Sequence, residues 1–257
     1  MARIIAVTNQ KGGVGKTTTA VNLSAALALA GKMVLLIDID PQGNATSGIG
    51  FNKKKHSNSV YQLLIGHTKV DDIIWLTELS HLALIPSSID LAGAEIELST
   101  LERREYKLKE AISEYAEKYD FVIIDCPPSM GFLTLNALTA AKTVLIPIQC
   151  EYYALEGLSM LIDTVKAVKK RLNPELAIEG ILLTMFDGRT NLAYQVAEEV
   201  KKHFPREVYR AVIPRNIRLA EAPSFGLPIT EYDPKSKGAE AYLEFAEEFL
   251  ELESETN

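Results

Sequence analysis

A glycine-rich segment near the start of the chain has the residue types that bind phosphate groups. It is Gln10-Lys11-Gly12-Gly13-Val14-Gly15-Lys16-Thr17-Thr18, directly after the apolar run Ile4–Val7. The glycines let the backbone curl so that successive N–H groups point at phosphate oxygens. Lys16 can reach the β- and γ-phosphates of a nucleotide, and the Thr17 hydroxyl can ligate Mg²⁺. The segment therefore predicts a phosphate-binding loop that opens the first helix.

A second lysine, Lys11, precedes the glycines, and Gln10 stands where the ordinary P-loop pattern has its first glycine. A lysine at the mouth of the loop does not easily fold back onto phosphates that Lys16 already contacts. We expect Lys11 to cross to the nucleotide of a second subunit. There its charge would meet the negative charge that develops during phosphoryl transfer. The pattern thus predicts that two copies of the chain act together.

Three carboxylates follow two further apolar runs. Asp38 and Asp40 come at the end of the second run, where open α/β sheets bind ligands. We expect Asp38 to support the loop and the metal, and Asp40 to orient the attacking water; an ordinary Asp-Pro turn is the alternative. Asp125 ends the run that begins at Phe121, as in a Walker B strand, and can hold an Mg²⁺-bound water. Cys126 is interpreted as a small packed side chain.

Short runs rich in Ile, Val and Leu alternate with helical patterns along the chain. Continuous hydrophobicity is typical of strands that are covered on both faces. The predicted strands are Ile4–Val7, Val34–Ile37, Leu82–Ile85, Phe121–Ile124, Val144–Ile148, Ile178–Leu183 and Val208–Ile213. The predicted helices are Thr17–Ala30, Leu101–Lys118, Leu155–Leu172, Leu192–His203 and a closing helix near Glu240–Glu251. This order predicts an α/β fold, a single-domain, doubly wound, mostly parallel sheet with helices on both faces.

The composition is that of a globular protein. The chain has 257 residues, of which 47% are hydrophobic and 24% charged, and this excludes a disordered chain or a coiled coil. We expect one domain over 1–257 with a frayed acidic tail at 252–257. No apolar run reaches the roughly eighteen residues of a membrane helix, and no signal peptide is visible. With two cysteines too few for a disulfide framework, a cytoplasmic protein is expected.

The net charge of −7 is concentrated at one end of the chain. Seven glutamates lie between Glu240 and Asn257, whereas residues 166–237 carry thirteen Lys and Arg against nine Asp and Glu. Because binding depends on where charges lie, the overall acidity does not exclude a polyanion as partner. The run Lys53-Lys54-Lys55, in the long polar loop Pro41–Ser59, is interpreted as a solvated surface, with nucleic-acid contact as the alternative.

With these motifs in place, the sequence resembles the ParA/Soj ATPases of the deviant-Walker A (ParA/MinD) group, which act in bacterial chromosome and plasmid partition. The resemblance runs almost end to end. The matching stretches are Lys11–Thr18, Asp38–Gly48, Leu91–Leu98, Asp125–Ser129, Gln149–Gly157, Met185–Leu192 and Ile213–Pro223. The resemblance implies a P-loop nucleotide hydrolase that uses ATP and Mg²⁺ and forms ADP and phosphate.

The resemblance also implies roles in the nucleotide site. Lys11 matches the signature lysine that enters the partner's site in an ATP-sandwich dimer, and Lys16 matches the P-loop lysine. Thr17 matches the Mg²⁺ ligand, Asp40 the aspartate needed for hydrolysis, and Asp125 the Walker B position.

Further positions match the parts of the family that bind adenine and DNA. The segments against which adenine lies match Met185, Pro214 and Asn216. Arg189 and Arg218 match positions used for sequence-independent DNA binding by the ATP-bound dimer. On charge alone, these two residues also fit ordinary surface arginines, and we find no helix-turn-helix motif.

The function implied by the resemblance is a nucleotide-switched ATPase. ATP drives homodimer formation, the dimer binds non-specific double-stranded DNA of the nucleoid, and a ParB-type centromere-binding partner stimulates hydrolysis. The alternative is a MinD-like membrane-associated regulator, but MinD ends in a basic amphipathic helix and this chain ends in an acidic one. A nitrogenase-reductase-like redox protein needs cysteines in glycine-rich loops, and Cys126 beside Pro127 does not fit that need.

Overall fold

Eight strands form one sheet among the residues that the structure describes, 2–52 and 58–256 of a computed structural model. They are β1 (Arg3–Val7), β2 (Val34–Asp38), β3 (Trp75–Leu76), β4 (Leu82–Ile85), β5 (Phe121–Asp125), β6 (Thr143–Gln149), β7 (Ala177–Phe186) and β8 (Val208–Pro214). Their order is β3-β4-β2-β5-β1-β6-β7-β8, and every neighbouring pair is parallel except β3 with β4. The predicted doubly wound, mostly parallel sheet is confirmed.

Helices connect the strands and cover both faces of the sheet. They are α1 (Lys16–Leu29), α2 (Asn44–Gly48), α3 (Val60–Leu64), α4 (Leu91–Thr100), α5 (Lys107–Ala116), α6 (Phe132–Ala140), α7 (Ala154–Arg171), α8 (Asn191–His203), α9 (Ile217–Glu221), α10 (Ile229–Tyr232) and α11 (Lys237–Thr256). Within the described ranges, none of them combines the length and the apolar character needed to cross a membrane.

The continuous hydrophobicity of the strands follows from burial on both faces. In β2, Leu35 and Ile37 face a core that α5, α6, α7 and α8 complete. The alternate residues Val34 and Leu36 face a second core that α1 and α11 complete. Because side chains alternate between the faces of a strand, a strand between two cores needs apolar residues at every position.

One predicted helix begins later in the structure than the sequence indicates. The helix expected over Leu101–Lys118 is α5, which starts at Lys107. Leu101 is extended and ends α4. Arg103 then has a left-handed backbone with a φ of 51°, a conformation that a right-handed helix cannot include. The short 3₁₀ turn Arg104–Tyr106 leads into α5.

Other elements differ from the predictions at the ends of the chain and between strands. The helices α4 and α6 and the edge strand β3 were not predicted, and α2 lies inside the segment expected to be a loop. The closing helix α11 begins before the predicted Glu240, at Lys237, and ends at Thr256. The run Lys53-Lys54-Lys55 lies outside the described residues.

A glycine in β7 tests the packing of α11 on the sheet. A Cβ atom at Gly180 would lie 2.3 Å from Tyr209 Cε2. The Tyr209 ring itself packs edge-to-face on Phe245 of α11, with centroids 4.8 Å apart. We therefore expect Gly180→Ala to lower the free energy of unfolding by about 1–3 kcal/mol in a urea titration.

The matched control for this change is Gly157→Ala in α7, where no atom lies within 4 Å of the added Cβ. It should leave stability unchanged or raise it by up to about 1 kcal/mol, because Ala favours helix over Gly. Equal stability of the Gly180→Ala and wild-type proteins would contradict the packing described here.

Candidate nucleotide-binding site

The register of three neighbouring strands brings the predicted motifs to one edge of the sheet. Asp125, the last residue of β5, pairs with Val7 at the end of β1 and with Asp38 at the end of β2. The glycine-rich loop follows Val7 directly. Asp38 and Asp125 are more than 80 residues apart along the chain. They nevertheless meet the loop at the carboxyl ends of parallel strands, where such sheets bind ligands.

The glycine-rich loop has a backbone that only glycines adopt easily, and it is tied to the sheet. Gly13 and Gly15 have φ values of 73° and 84°, in the left-handed region that other residues avoid. Asn9 Nδ2 donates to the Pro147 carbonyl at 2.8 Å. Thr184 Oγ1 donates to the Val14 carbonyl at 2.8 Å. Bonds to β6 and β7 therefore fix the loop at the start of α1.

The two lysines of the loop lie in different surroundings. Lys16 is only 7% exposed, and its Nζ donates to the Lys11 carbonyl at 2.8 Å inside the loop. Burial lowers the pKa of Lys16, while Asp125 raises it. The Lys11 ammonium group points outward and forms an ion pair with Glu151, in the turn after β6. Only Lys16 is thus placed inside its own loop.

Asp38 is fully buried and held by the first turn of α2. Thr46 donates to Asp38 Oδ2 from its backbone N–H at 2.7 Å and from its hydroxyl at 2.6 Å. Burial nevertheless raises the pKa of Asp38 to about 6, because the hydrogen bonds from Thr46 compensate only in part. Asp38 therefore supports the loop that carries Asp40 and contributes negative charge beneath the site.

Asp125 is a fully buried carboxylate beneath the loop. Both of its oxygens are buried and make no hydrogen bond to the described part of the chain. Burial and then the neighbouring Asp38 raise the pKa of Asp125 well above its ordinary value, while the positive charge of Lys16 lowers it. A carboxylate in this state needs a cation. Oxygen donors such as Asp125 and Thr17 are what Mg²⁺ prefers, so these residues fit a magnesium ion.

Asp40 lies at the rim of the site on a fixed backbone. Its carbonyl accepts hydrogen bonds from the Ser87 hydroxyl at 2.6 Å and from the Gly43 N–H at 2.8 Å. Its Oδ1 accepts from the Gln42 N–H at 2.9 Å. Oδ2 receives no donor from the residues in the described ranges. A carboxylate anchored in this way can accept a hydrogen bond from a water molecule.

The residues expected to contact adenine line one cavity of about 200 Å³ beside the loop. Met185, at the end of β7, and Pro214 and Asn216, at the end of β8, come together there with Gly15 and Thr18 of the loop. Met185 has a φ of 47°, which for a bulky residue marks local strain. The structure thus brings the predicted adenine segments next to the predicted phosphate loop.

Arg189 and Arg218 lie near the carboxyl ends of the neighbouring strands β7 and β8. Arg189 is exposed and binds Asp187 through two nitrogens, at 2.8 and 2.7 Å. Arg218 is also exposed and contacts Glu221 at 2.8 Å. Each guanidinium group is accessible, but each is paired with a carboxylate of its own chain.

Several residues of the site were not predicted from the sequence. Tyr242 of α11 lines the adenine cavity, and its hydroxyl lies 3.1 Å from Thr19 Oγ1. Thr46, Thr184 and Glu151 hold site residues through hydrogen bonds or an ion pair. Tyr242, Thr184 and Glu151 act through contacts between segments distant in the sequence, so no local pattern indicates them, whereas Thr46 lies only eight residues from Asp38. Within the described residues, no cluster of His, Cys, Asp and Glu is arranged to hold a metal by itself.

Comparison with known proteins agrees with this geometry. A family model described as an AAA domain matches residues 2–178. The sequence is 61% identical to the sporulation initiation inhibitor protein Soj of Bacillus subtilis, over 96% of this chain and 98% of that protein. It is 53% identical to the chromosome partitioning protein ParA of Myxococcus xanthus, over 99% and 90%.

A solved structure has the same fold. It is that of cobyrinic acid a,c-diamide synthase from Mycobacterium smegmatis with bound ADP and magnesium, at 41% identity and a TM-score of 0.84, and the match covers 96% of this chain and 93% of that one. Fold and site together define a P-loop ATPase. The chain belongs to the ParA/Soj family of chromosome-partitioning ATPases, as its end-to-end identity to Soj and ParA shows.

The two neighbouring carboxylates make stability depend on pH in a predictable direction. Asp38 and Asp125 keep their protons in the folded chain to a higher pH than in the unfolded chain. The nucleotide-free protein should therefore lose stability as the pH rises from about 4 through 6 and above. Asp125→Asn removes one of the charges, so it should be more stable than the wild type at pH 7.5.

The measurement is urea unfolding of both proteins without nucleotide at several pH values. The stability difference between Asp125→Asn and the wild type should shrink towards pH 4, where the wild-type carboxyls are protonated in the unfolded chain as well. A variant that is less stable at pH 7.5, or a difference that does not depend on pH, would show that the charge of Asp125 is not the cause.

Proposed function

We propose that this chain is the ATP-dependent switch of a chromosome or plasmid partition system. Two copies bind ATP between them, the dimer binds double-stranded DNA without sequence preference, and hydrolysis releases it. The observation that carries this proposal is the separation of the two lysines. Lys16 occupies its own loop, whereas the Lys11 ammonium group is directed outward, 39% exposed, where a second chain can receive it.

The residues around the loop divide the work of ATP hydrolysis. Backbone N–H groups of the loop and the Lys16 ammonium group bind the phosphates. Thr17 and Asp125 would hold Mg²⁺, as their oxygens and burial suit, and the ion would supply charge that offsets the phosphates. Asp40 orients the attacking water from its fixed backbone. Lys11 of the second copy brings positive charge to the developing negative charge, as an arginine finger does.

DNA binding is assigned to the edge that carries Arg189 and Arg218. Their exposure supports contacts with phosphates, and so does their position after neighbouring strands, with Arg189 in the loop after β7 and Arg218 in α9 after β8. Such contacts carry no sequence information and weaken with salt. Because Arg189 is paired with Asp187, and Arg218 with both Glu221 and Asp233, phosphate must compete with carboxylates of the same chain, which favours weak, reversible binding. The site of action that follows is the nucleoid, with a ParB-type partner as the stimulator.

The acidic end of the chain argues against the MinD-like alternative. The closing helix α11 contains the glutamates that follow Glu240 and no Lys or Arg after Lys237. Most of its apolar side chains, including Tyr242 and Phe245, are buried against the sheet, while Leu243 and Leu252 are exposed. A helix of this kind offers an anionic lipid surface no cluster of positive charge and only two exposed leucines. Binding to anionic vesicles with ATP present would favour the alternative.

The first test of the proposed function concerns Asp40. Asp40→Ala should bind ATP and dimerise like the wild type, because the phosphate-binding loop is untouched. Its hydrolysis rate should fall by roughly 100-fold or more, since the water loses its acceptor. Phosphate release and sedimentation measure the two properties in one preparation. Asp163→Ala, at an exposed aspartate of α7, is the control; wild-type turnover in Asp40→Ala would remove its catalytic role.

The second test concerns the DNA-binding edge. Arg189→Glu combined with Arg218→Glu should abolish retention of plasmid DNA at moderate salt while ATP-dependent dimerisation stays intact. The control is Arg103→Glu combined with Lys118→Glu, which changes the net charge equally at two other exposed, ion-paired residues. If both double variants bind DNA alike, the edge has been assigned wrongly and only net charge matters.

A further inference from the structure

The ion pair between Lys11 and Glu151 joins the mouth of the phosphate-binding loop to the turn after β6. The two residues are 140 positions apart, and both side chains are about half exposed, at 39% and 45%. In the proposed function, Lys11 is the loop lysine that contacts the nucleotide bound to a second chain. The Lys11 ammonium group cannot keep its ion pair with Glu151 and also bind the nucleotide of a second chain.

Residue 11 is restrained at a second atom as well. Its carbonyl accepts a hydrogen bond from Lys16 Nζ at 2.8 Å, and its N–H donates to Asn9 Oδ1 at 3.0 Å. A bound triphosphate competes for the Lys16 ammonium group, because a phosphate oxygen carries more charge than a carbonyl. Nucleotide binding therefore breaks the hydrogen bond between Lys16 and the Lys11 carbonyl. The Lys11 side chain is still held by its ion pair with Glu151.

The turn that carries Glu151 also presents apolar surface. Tyr152 and Tyr153 follow it directly, 77% and 65% exposed, and their rings pack edge-to-face with centroids 5.1 Å apart. Adjacent exposed tyrosines are typical of protein contact surfaces. A second copy that approaches Lys11 at the mouth of the loop must pass this turn, so the same assembly step covers the tyrosines and separates Lys11 from Glu151.

We propose that Glu151 is a positioning residue that holds Lys11 within its own chain and thereby opposes dimer formation, so that assembly of the nucleotide-bound dimer must separate the pair. The proposal rests on the proposed function, since it assumes that Lys11 contacts the nucleotide of a second copy. Each dimer requires two such ion pairs to separate. Loss of the Glu151 charge therefore favours the dimer, although Glu151 itself touches no substrate.

The test compares dimer dissociation constants by sedimentation at saturating Mg²⁺ and a non-hydrolysable ATP analogue. An exposed ion pair changes an equilibrium constant by a factor of roughly 1.5 to 5, and two pairs separate in each dimer. Glu151→Gln, which keeps shape and removes charge, should therefore lower the dissociation constant by about 2- to 25-fold. Glu151→Asp keeps the charge and should stay close to the parent protein, which a purely structural role of the side chain would not predict.

The matched control is Glu156→Gln, at an exposed glutamate in the first turn of α7. It should leave the dissociation constant unchanged. If the parent protein stays monomeric with the analogue, the proposed function itself is wrong. If the parent dimerises and Glu151→Gln dimerises equally or more weakly, or if Glu156→Gln has the same effect, Glu151 does not restrain Lys11 and the proposed function is unaffected.

Discussion

The register of β2, β5 and β1 is the constraint on which the rest of the site depends. It sets Asp38, Asp125 and Val7 side by side at one edge, so that two carboxylates lie beneath the loop that follows Val7. This arrangement opposes folding in the absence of ligand, because two adjacent buried carboxylates repel each other and the described residues donate no hydrogen bond to Asp125. The same arrangement favours cations, since ammonium and metal charges relieve that repulsion. The repulsion between Asp38 and Asp125 thus lowers the stability of the ligand-free chain at the proposed site for phosphates and cations.

The remaining elements position this edge rather than add chemistry to it. β6 and β7 hold the loop through the Pro147 carbonyl and Thr184, and α2 holds Asp38 through Thr46. The closing helix α11 reaches the candidate site from the far end of the chain, where Tyr242 lines the cavity beside the loop. The walls of the candidate site therefore come from segments spread over most of the sequence.

Much of the fold follows from the sequence, because strands with cores on both faces leave a continuous apolar signal. All seven predicted strands are present, whereas the two-residue strand β3 is too short to leave a pattern. The helix α6 was missed because its three polar residues, Thr134, Asn136 and Thr139, are buried like the apolar ones, so that it shows no polar face. In the site, the phosphate loop and the strand-end carboxylates have local signatures. Glu151 and Tyr242 have none, since their roles arise only from contacts across the fold.

The central claim is that Lys11 acts on the nucleotide of the other chain, and mixed dimers test it directly. Lys11→Ala and Asp40→Ala, each inactive alone, are mixed in equal amounts with ATP and Mg²⁺. If Lys11 acts in trans, each mixed dimer has one complete site, and the mixture should recover about a quarter of wild-type turnover, since half of the dimers are mixed. If Lys11 acts within its own chain, no complete site forms, and a mixture as inactive as its components would contradict the account.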